Sequence, residues 1–360
     1  MSFLNRFMRA GCAALVAVAL LAWTPSAQAL PQGNAIKDPK ALLRNSLPID
    51  NPTIRKIQDS IEDISYQLRA VRRWGPVVTD VKKADVMLLN KKDKILASVA
   101  ETQLPQAETL ISEIQAGTTN LRTLAEAENK DGVLDERLRV LDLIGDLEAL
   151  MVPGFPFEVP EEYSNLPQLK GRATVLFKTT KGDLTAVLDG YSAPVSAGNF
   201  ADLVERGFYN KMKIDRAEEF YVVQTGNPDG PEEGFIDPKT KKYRAVPLEI
   251  LAEGDTVPTY GTTFEDIGRP LDQPVLPFSS YGAMAMARPG DEPDGGSSQF
   301  FFFLFEPELT PAGINLLDGR YAIFGYVTEG NQLLGKLTTD DQIISAKVVS
   351  GLENLVKPKA

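Results

Sequence analysis

The stretch DRAEEFYVVQTGN (residues 215–227) sets one arginine, Arg216, eight residues before one glutamine, Gln224. The run FYVV between them is aromatic and β-branched, and TGN closes it with turn residues. That composition predicts a strand with polar ends. Read from the residues alone, an Arg–Gln pair flanking such a strand is a surface pair at a sheet edge. The chain holds no histidine, so chemistry here would have to run without the commonest acid–base side chain.

The same period of two extends on both sides. RATVLFKTT (172–180) and DLTAVLDG (183–190) predict a hairpin turning at Lys181-Gly182. NFADLVERGF (199–208) predicts a short helix. AMAMA (283–287), QFFFFLF (299–305) and YAIFGYV (321–327) read as further strands between Gly/Pro/Asp loops. Short strands with few helices predict a closed antiparallel β-barrel with one or two capping helices.

Before residue 150 the period is that of helices. Asn51 is a candidate N-cap and Pro52 a first helical residue. Ile54, Ile57, Ile61, Ile64, Leu68 and Val71 then form one apolar stripe. Trp74-Gly75-Pro76 is expected to end that helix. A second helical segment runs to about Glu101. A third carries Leu104, Ala107, Ile111, Ile114 and Leu121, and a fourth Leu134, Leu138, Leu141, Ile144 and Leu147. Four amphipathic helices with short connections predict a four-helix bundle, so the fold class is α+β with two domains. MVPGFPFEVPEEYSNLPQLKG (151–171) carries four prolines and reads as the junction. The expected divisions are a signal peptide over 1–29, the bundle over 30–150, a Pro-rich linker over 151–170 and the barrel domain over 171–360.

The leader has Arg6 and Arg9, a short apolar run and an Ala-x-Ala site ending at Ala29. Its apolar run is shorter than the roughly 20 residues of a spanning helix. Export to a lumen or periplasm as a soluble protein is the expectation. The one cysteine, Cys12, lies inside the leader, which leaves no disulfide or thiol chemistry in the mature chain. A net charge of −11 repels phosphate and argues against a nucleic-acid partner. No Walker loop, zinc pattern or Ser-His-Asp set occurs. DGPEEGFID (229–237) and GDEPDGGSS (290–298) read as solvated loops, since the spacing is not that of an EF-hand.

DRAEEFYVVQTGN, GAMAMAR (282–288), SSQFFFF (297–303) and LLDGRYAIFGYV (316–327) resemble the signature segments of the cyclophilins, in cyclophilin order, across about 171–356. LLRNSLPIDN (42–51), GFPFEVPEEY (154–163), GFIDP (234–238) and LDGRYAIFGYVTEG (317–330) resemble the large thylakoid-lumen cyclophilins, in which a helical bundle precedes the cyclophilin domain. A secretory leader without a transit peptide suggests a cyanobacterial version. The resemblance implies peptidyl-prolyl cis-trans isomerase activity without a cofactor, proline-containing clients, and a role in photosystem II assembly or maintenance. It implies that Arg216 is the catalytic arginine and Gln224 the groove glutamine. Phe301 and Leu317 would hold the proline, while Gln299 and Ala287 line the groove. Such chemistry suits a chain without histidine: rotation about X-Pro faces a barrier of about 18–20 kcal/mol from lost amide resonance. A fixed guanidinium lowers it by hydrogen bonding the pyramidal nitrogen of the twisted state.

The family's pocket histidine is here Tyr321, its groove tryptophan Leu316 and its groove asparagine Arg288. Tyr221 and Val222 replace its phenylalanine and methionine. Loss of the tryptophan's stacking surface predicts weak or no cyclosporin binding. The segment between Gln224 and Gly282 is a couple of dozen residues longer than in minimal cyclophilins, long enough to fold over the groove. Two further readings stay open: a non-catalytic binding protein docked through its bundle, and an isomerase covered by its own bundle or by GFPFEVP (154–160).

Overall fold

The computed structural model describes residues 36–70, 73–231, 233–305 and 315–358. The leader, Cys12 and the expected cleavage site lie outside them. Helices α1 (Pro39–Asn45), α2 (Pro52–Ala70), α3 (Trp74–Asn90), α4 (Lys92–Leu96), α5 (Leu104–Glu126) and α6 (Lys130–Ala149) come first, then twelve strands with one further long helix, α7 (Pro194–Glu205).

Helices α2, α3, α5 and α6 form a four-helix bundle in which each packs on the next and α6 returns to α2. Asn51 caps α2 by accepting from the backbone N–H groups of Thr53 and Ile54. The stripe from Ile54 to Leu68 is buried in its core; Val71 lies outside the described residues. Two expectations differ. Trp74-Gly75-Pro76 opens α3, because proline is tolerated in a first turn where its missing N–H would have no partner. On α6 Leu141, Ile144 and Leu147 are buried as expected and Leu134 is half-buried, but Val133 and Val140 are buried beside them while Leu138 is 48% exposed. The face turns because Arg137 points to α2, donating to the carbonyls of Ile61 and Glu62. Gly117 of α5 admits Val140: a Cβ there would sit 2.5 Å from Val140 Cγ2.

The strands are β1 (Gln168–Leu169), β2 (Arg172–Thr179), β3 (Gly182–Asp189), β4 (Met212–Glu218), β5 (Val222–Thr225), β6 (Glu249–Ile250), β7 (Thr259–Tyr260), β8 (Ala283–Met286), β9 (Phe300–Phe303), β10 (Ile323–Glu329), β11 (Gln342–Ser350) and β12 (Leu355–Val356). Eight of them close an antiparallel barrel in the order β10-β3-β2-β11-β4-β5-β9-β8. Alternation divides the strand residues between two cores. Phe300 and Phe302 join Phe177, Met284 and Phe324 inside, under Phe200 of α7. Phe301 and Phe303 point the other way, into an outer cluster with Val222, Ala285, Ile323 and Tyr326. The FFFF run is therefore buried on both faces, which is why it carries no polar alternation.

The long segment after Gln224 packs as part of the barrel domain. Phe278 joins the outer cluster, and Leu248, Ile250 and Phe264 make a smaller core with Ala322. Its Glu249 is buried and accepts from the N–H groups of Val195 and Ser196 at the start of α7. In the junction, Val159 and Tyr163 pack with Leu166, Val195, Val246 and Tyr260.

Helix α1 precedes the bundle yet lies on the barrel. Leu42 and Leu43 complete the outer cluster. Arg172 and Asp189, paired across β2 and β3, hold the end of α1: Arg172 donates to Asp189 at 2.6 Å, to Ser46 Oγ at 2.9 Å and to the Leu43 carbonyl, and Ser46 donates to Asp189 at 3.0 Å.

Candidate active site

The register of three neighbouring strands assembles the site. Arg216 on β4 lies opposite Gln224 on β5, and Gln224 lies opposite Phe301 on β9. All three face the outer side of the barrel. They line a cavity of about 430 Å³ together with Tyr221, Val222, Ala287, Arg288, Gln299, Leu317 and Tyr321. Ten of the eleven residues singled out in the sequence thus converge. Leu316 stands apart: it is 81% exposed and lies outside the lining.

At one end the cavity is apolar. Phe301 meets Tyr321 edge to face at 5.6 Å and lies parallel to Phe278 at 6.1 Å. The Arg216 guanidinium stands 5.7 Å from the Tyr221 ring. Its Nε donates to Glu218 at 2.7 Å. That hydrogen bond, with the carboxylate's charge, raises the guanidinium above its ordinary range and holds Glu218 below the usual carboxylate value, so both stay ionised. Across the floor, Gln224 donates to Gln299 at 2.9 Å, and Gln299 donates to the carbonyl of Glu233 at 2.7 Å.

Arg288 does not fill the pocket. Its guanidinium donates to the carbonyls of Pro289 at 2.9 Å, Gly290 at 3.1 Å and Arg320 at 2.7 Å. It lies 5.0 Å from the Tyr321 ring. The wall carrying Leu317 and Tyr321 is anchored from behind by Asp318. That carboxylate accepts from the N–H of Phe278 at 2.8 Å and of Asn315 at 3.1 Å. Burial pushes it up to about 6.

The sequence did not point to Glu218, Asp318, Glu233, Tyr243, Pro289, Gly295 or Ser297. Glu218 had a signal, since it sits two residues from Arg216 on the same face of a strand. Glu233 and Tyr243 come from the long insertion and had none. No residue of 151–170 lines the cavity.

Two family models match. The cyclophilin type peptidyl-prolyl cis-trans isomerase family covers residues 174–351. The CYP38-like peptidyl-prolyl cis-trans isomerase, PsbQ-like domain, covers 38–152. Among relatives, a protein named as a thylakoid lumen peptidyl-prolyl cis-trans isomerase of Synechocystis is 57% identical over 91% of this chain and 86% of its own length. The chloroplastic isomerase CYP38 of Arabidopsis thaliana is 48% identical over 93% and 78%. A crystal structure of a Cryptosporidium parvum cyclophilin covers 50% of this chain and 98% of its own at 21% identity, with a TM-score of 0.37, too low to add to the argument. A PsbQ-like helical domain followed by an eight-stranded barrel, matched along more than nine-tenths of this chain by both relatives, makes this chain a member of the cyclophilin-type peptidyl-prolyl cis-trans isomerases.

Proposed function

We propose that the cavity beside Arg216 isomerises X-Pro bonds of polypeptide clients. The observation that supports this reading is the alignment of Arg216, Gln224 and Phe301 on three adjacent strands beside a cavity that neither Arg288 nor the insertion occupies. Phe301, Leu317 and Tyr321 form an apolar seat for the proline ring, Tyr221 and Val222 flank it, and Ala287 offers backbone to the peptide. Gln224 and Gln299 orient the peptide carbonyls. Arg216 keeps its charge at every relevant pH and directs N–H donors at the proline nitrogen, which accepts a hydrogen bond only once the amide is twisted. Such a donor acts on the transition state and not on the ground state. No cofactor enters the reaction.

The proposed location is the thylakoid lumen, as in the name of the Synechocystis relative; the Arabidopsis relative is named chloroplastic. No helix among the described residues is long and apolar enough to cross a membrane. The PsbQ-like description of the helical domain supports its use as a docking module for photosystem II components. Exposed Leu316, where a tryptophan would stack, supports weak or absent cyclosporin binding.

The test is prolyl isomerisation of a short X-Pro peptide by the mature chain beside Arg216→Ala. Loss of one preorganised donor lowers kcat by about 10²–10³-fold in comparable sites, and a fall of that order is expected. A folded chain with no activity above background would leave a cyclophilin fold that binds without turnover, the reading that Tyr321 and Arg288 favour.

A further inference from the structure

The arginines around the cavity differ in one respect. Arg216 is paired with Glu218, Arg320 with Glu265, and Arg244 with Asp202 and Asp237. Arg288, which lines the cavity, forms no ion pair among the described residues. Its three acceptors are neutral main-chain carbonyls, and the fourth contact is the face of Tyr321. Its Nε is enclosed without a partner. The fold therefore fixes this guanidinium in place and leaves its charge unused.

Holding a cation this way prepares it for an anion. Rotamer freedom is already lost on folding, so a ligand need not order the side chain again. The site is partly shielded from water, which strengthens a charge pair relative to an open surface. The surrounding acids do not supply that anion. Glu292 lies in the same turn, its N–H donating to the Pro289 carbonyl at 3.3 Å, yet no Asp or Glu carboxylate among the described residues forms an ion pair with Arg288. The Tyr321 ring that carries Arg288 also meets Phe301, so the cation borders the proline seat itself.

We propose that Arg288 is a specificity-determining residue that pairs with a carboxylate on the client within two residues of the proline, so that the preferred substrates are acidic X-Pro segments. This rests on the reading of the cavity as the isomerase site. It gives a reason for a long cation in the groove wall of a chain that is itself acidic.

The experiment uses the mature chain and peptides that differ only by Glu, Gln or Lys, placed just before or just after the proline. Affinity is followed by NMR titration, which does not need turnover, at low and high salt. The expected result is a preference of roughly three- to fivefold for Glu over Gln, the size of one partly exposed charge pair, with Lys weakest and the preference fading at high salt. In Arg288→Gln the Glu:Gln ratio should fall to about one, and Arg288→Lys should restore part of it. Arg216→Ala should keep the ratio whatever it does to catalysis. Equal binding of the three peptides, or a Glu preference that survives in Arg288→Gln, overturns the inference and leaves the isomerase reading standing. Failure of every peptide to bind a folded chain overturns both.

Discussion

Gln224 and Gln299 are joined amide to amide at 2.9 Å, and the second glutamine is fixed in turn by the Glu233 carbonyl at 2.7 Å. The β5 glutamine is thus linked through Gln299 to the main chain of the insertion across the cavity floor. A glutamine held at both ends presents its remaining polar atoms in one orientation.

Gln299→Ala removes both links and leaves Gln224 free to rotate. A hydrogen bond of this kind contributes about 0.5–1.5 kcal/mol, so KM for an X-Pro peptide should rise roughly 2- to 12-fold per lost bond. The twisting step depends on Arg216, and kcat should change little. A fall in kcat at constant KM would mean that Gln299 acts on the transition state.

Much of this arrangement was legible in the sequence, for physical reasons that differ by element. The bundle stripe from Ile54 to Leu68 declared itself because one face is buried and the other wet. The barrel strands declared themselves through period two, but the roles of Arg216 and Gln224 came only from the resemblance to cyclophilins; the short hairpin between them brings the two into direct opposition. What was not legible depended on long-range pairing. Strand β11 interrupts its own alternation at register shifts near Ile343 and Val348. The side of FFFF that faces the cavity is set by pairing of β9 with β5 and β8. That α1 lies on the barrel follows from Arg172 and Asp189, more than a hundred residues away. Arg137 on the core side of α6 looked polar and proved to satisfy two carbonyls of a neighbouring helix.

Arg172→Ala tests the hold on α1. Asp189 is fully buried, and Arg172 is its one cationic partner among the described residues. Removing one partner of a buried pair costs about 3–5 kcal/mol, since the other charge stays uncompensated. The barrel domain should lose stability by that order, and the chain before Asn51 should become sensitive to limited proteolysis. Intact α1 at an unchanged thermal midpoint would show that Leu42 and Leu43 suffice.

Three enclosed carboxyls predict the acid response. Burial raises Glu249 to about 7, Glu148 to about 7 and Asp318 to about 6. Each folded value exceeds the unfolded one, near 4. The folded state therefore binds more protons in this window, and stability falls as pH rises. The contribution is complete below about pH 4 and lost as pH climbs through 6 to 7. Asp341, held down to about 2 chiefly by the Thr180 hydroxyl, works oppositely, but only below about pH 4. The thermal midpoint should thus be higher at pH 5 than at pH 8, and Glu249→Gln should shrink the difference. Asp318→Asn should remove the part that falls between about pH 4 and 6. A midpoint that rises from pH 5 to pH 8 would refute this.

Phe220 closes the β4–β5 turn with φ of 60° while its side chain is 63% exposed. A bulky residue in the left-handed region costs about 1–2 kcal/mol, and an exposed ring gains little packing to offset it. Phe220→Gly removes the steric cost but adds unfolded-state entropy of roughly 0.5–1 kcal/mol. The balance predicts an unchanged or slightly higher thermal midpoint. Peptide binding separates two reasons for keeping the strain. If Phe220→Gly is as stable as the parent yet binds X-Pro peptides several-fold more weakly, the ring is held out at the rim of the site to meet the client. If stability and binding are both unchanged, the strain has no role in recognition. A clear loss of stability would mean instead that the ring packs on the turn more than its exposure indicates.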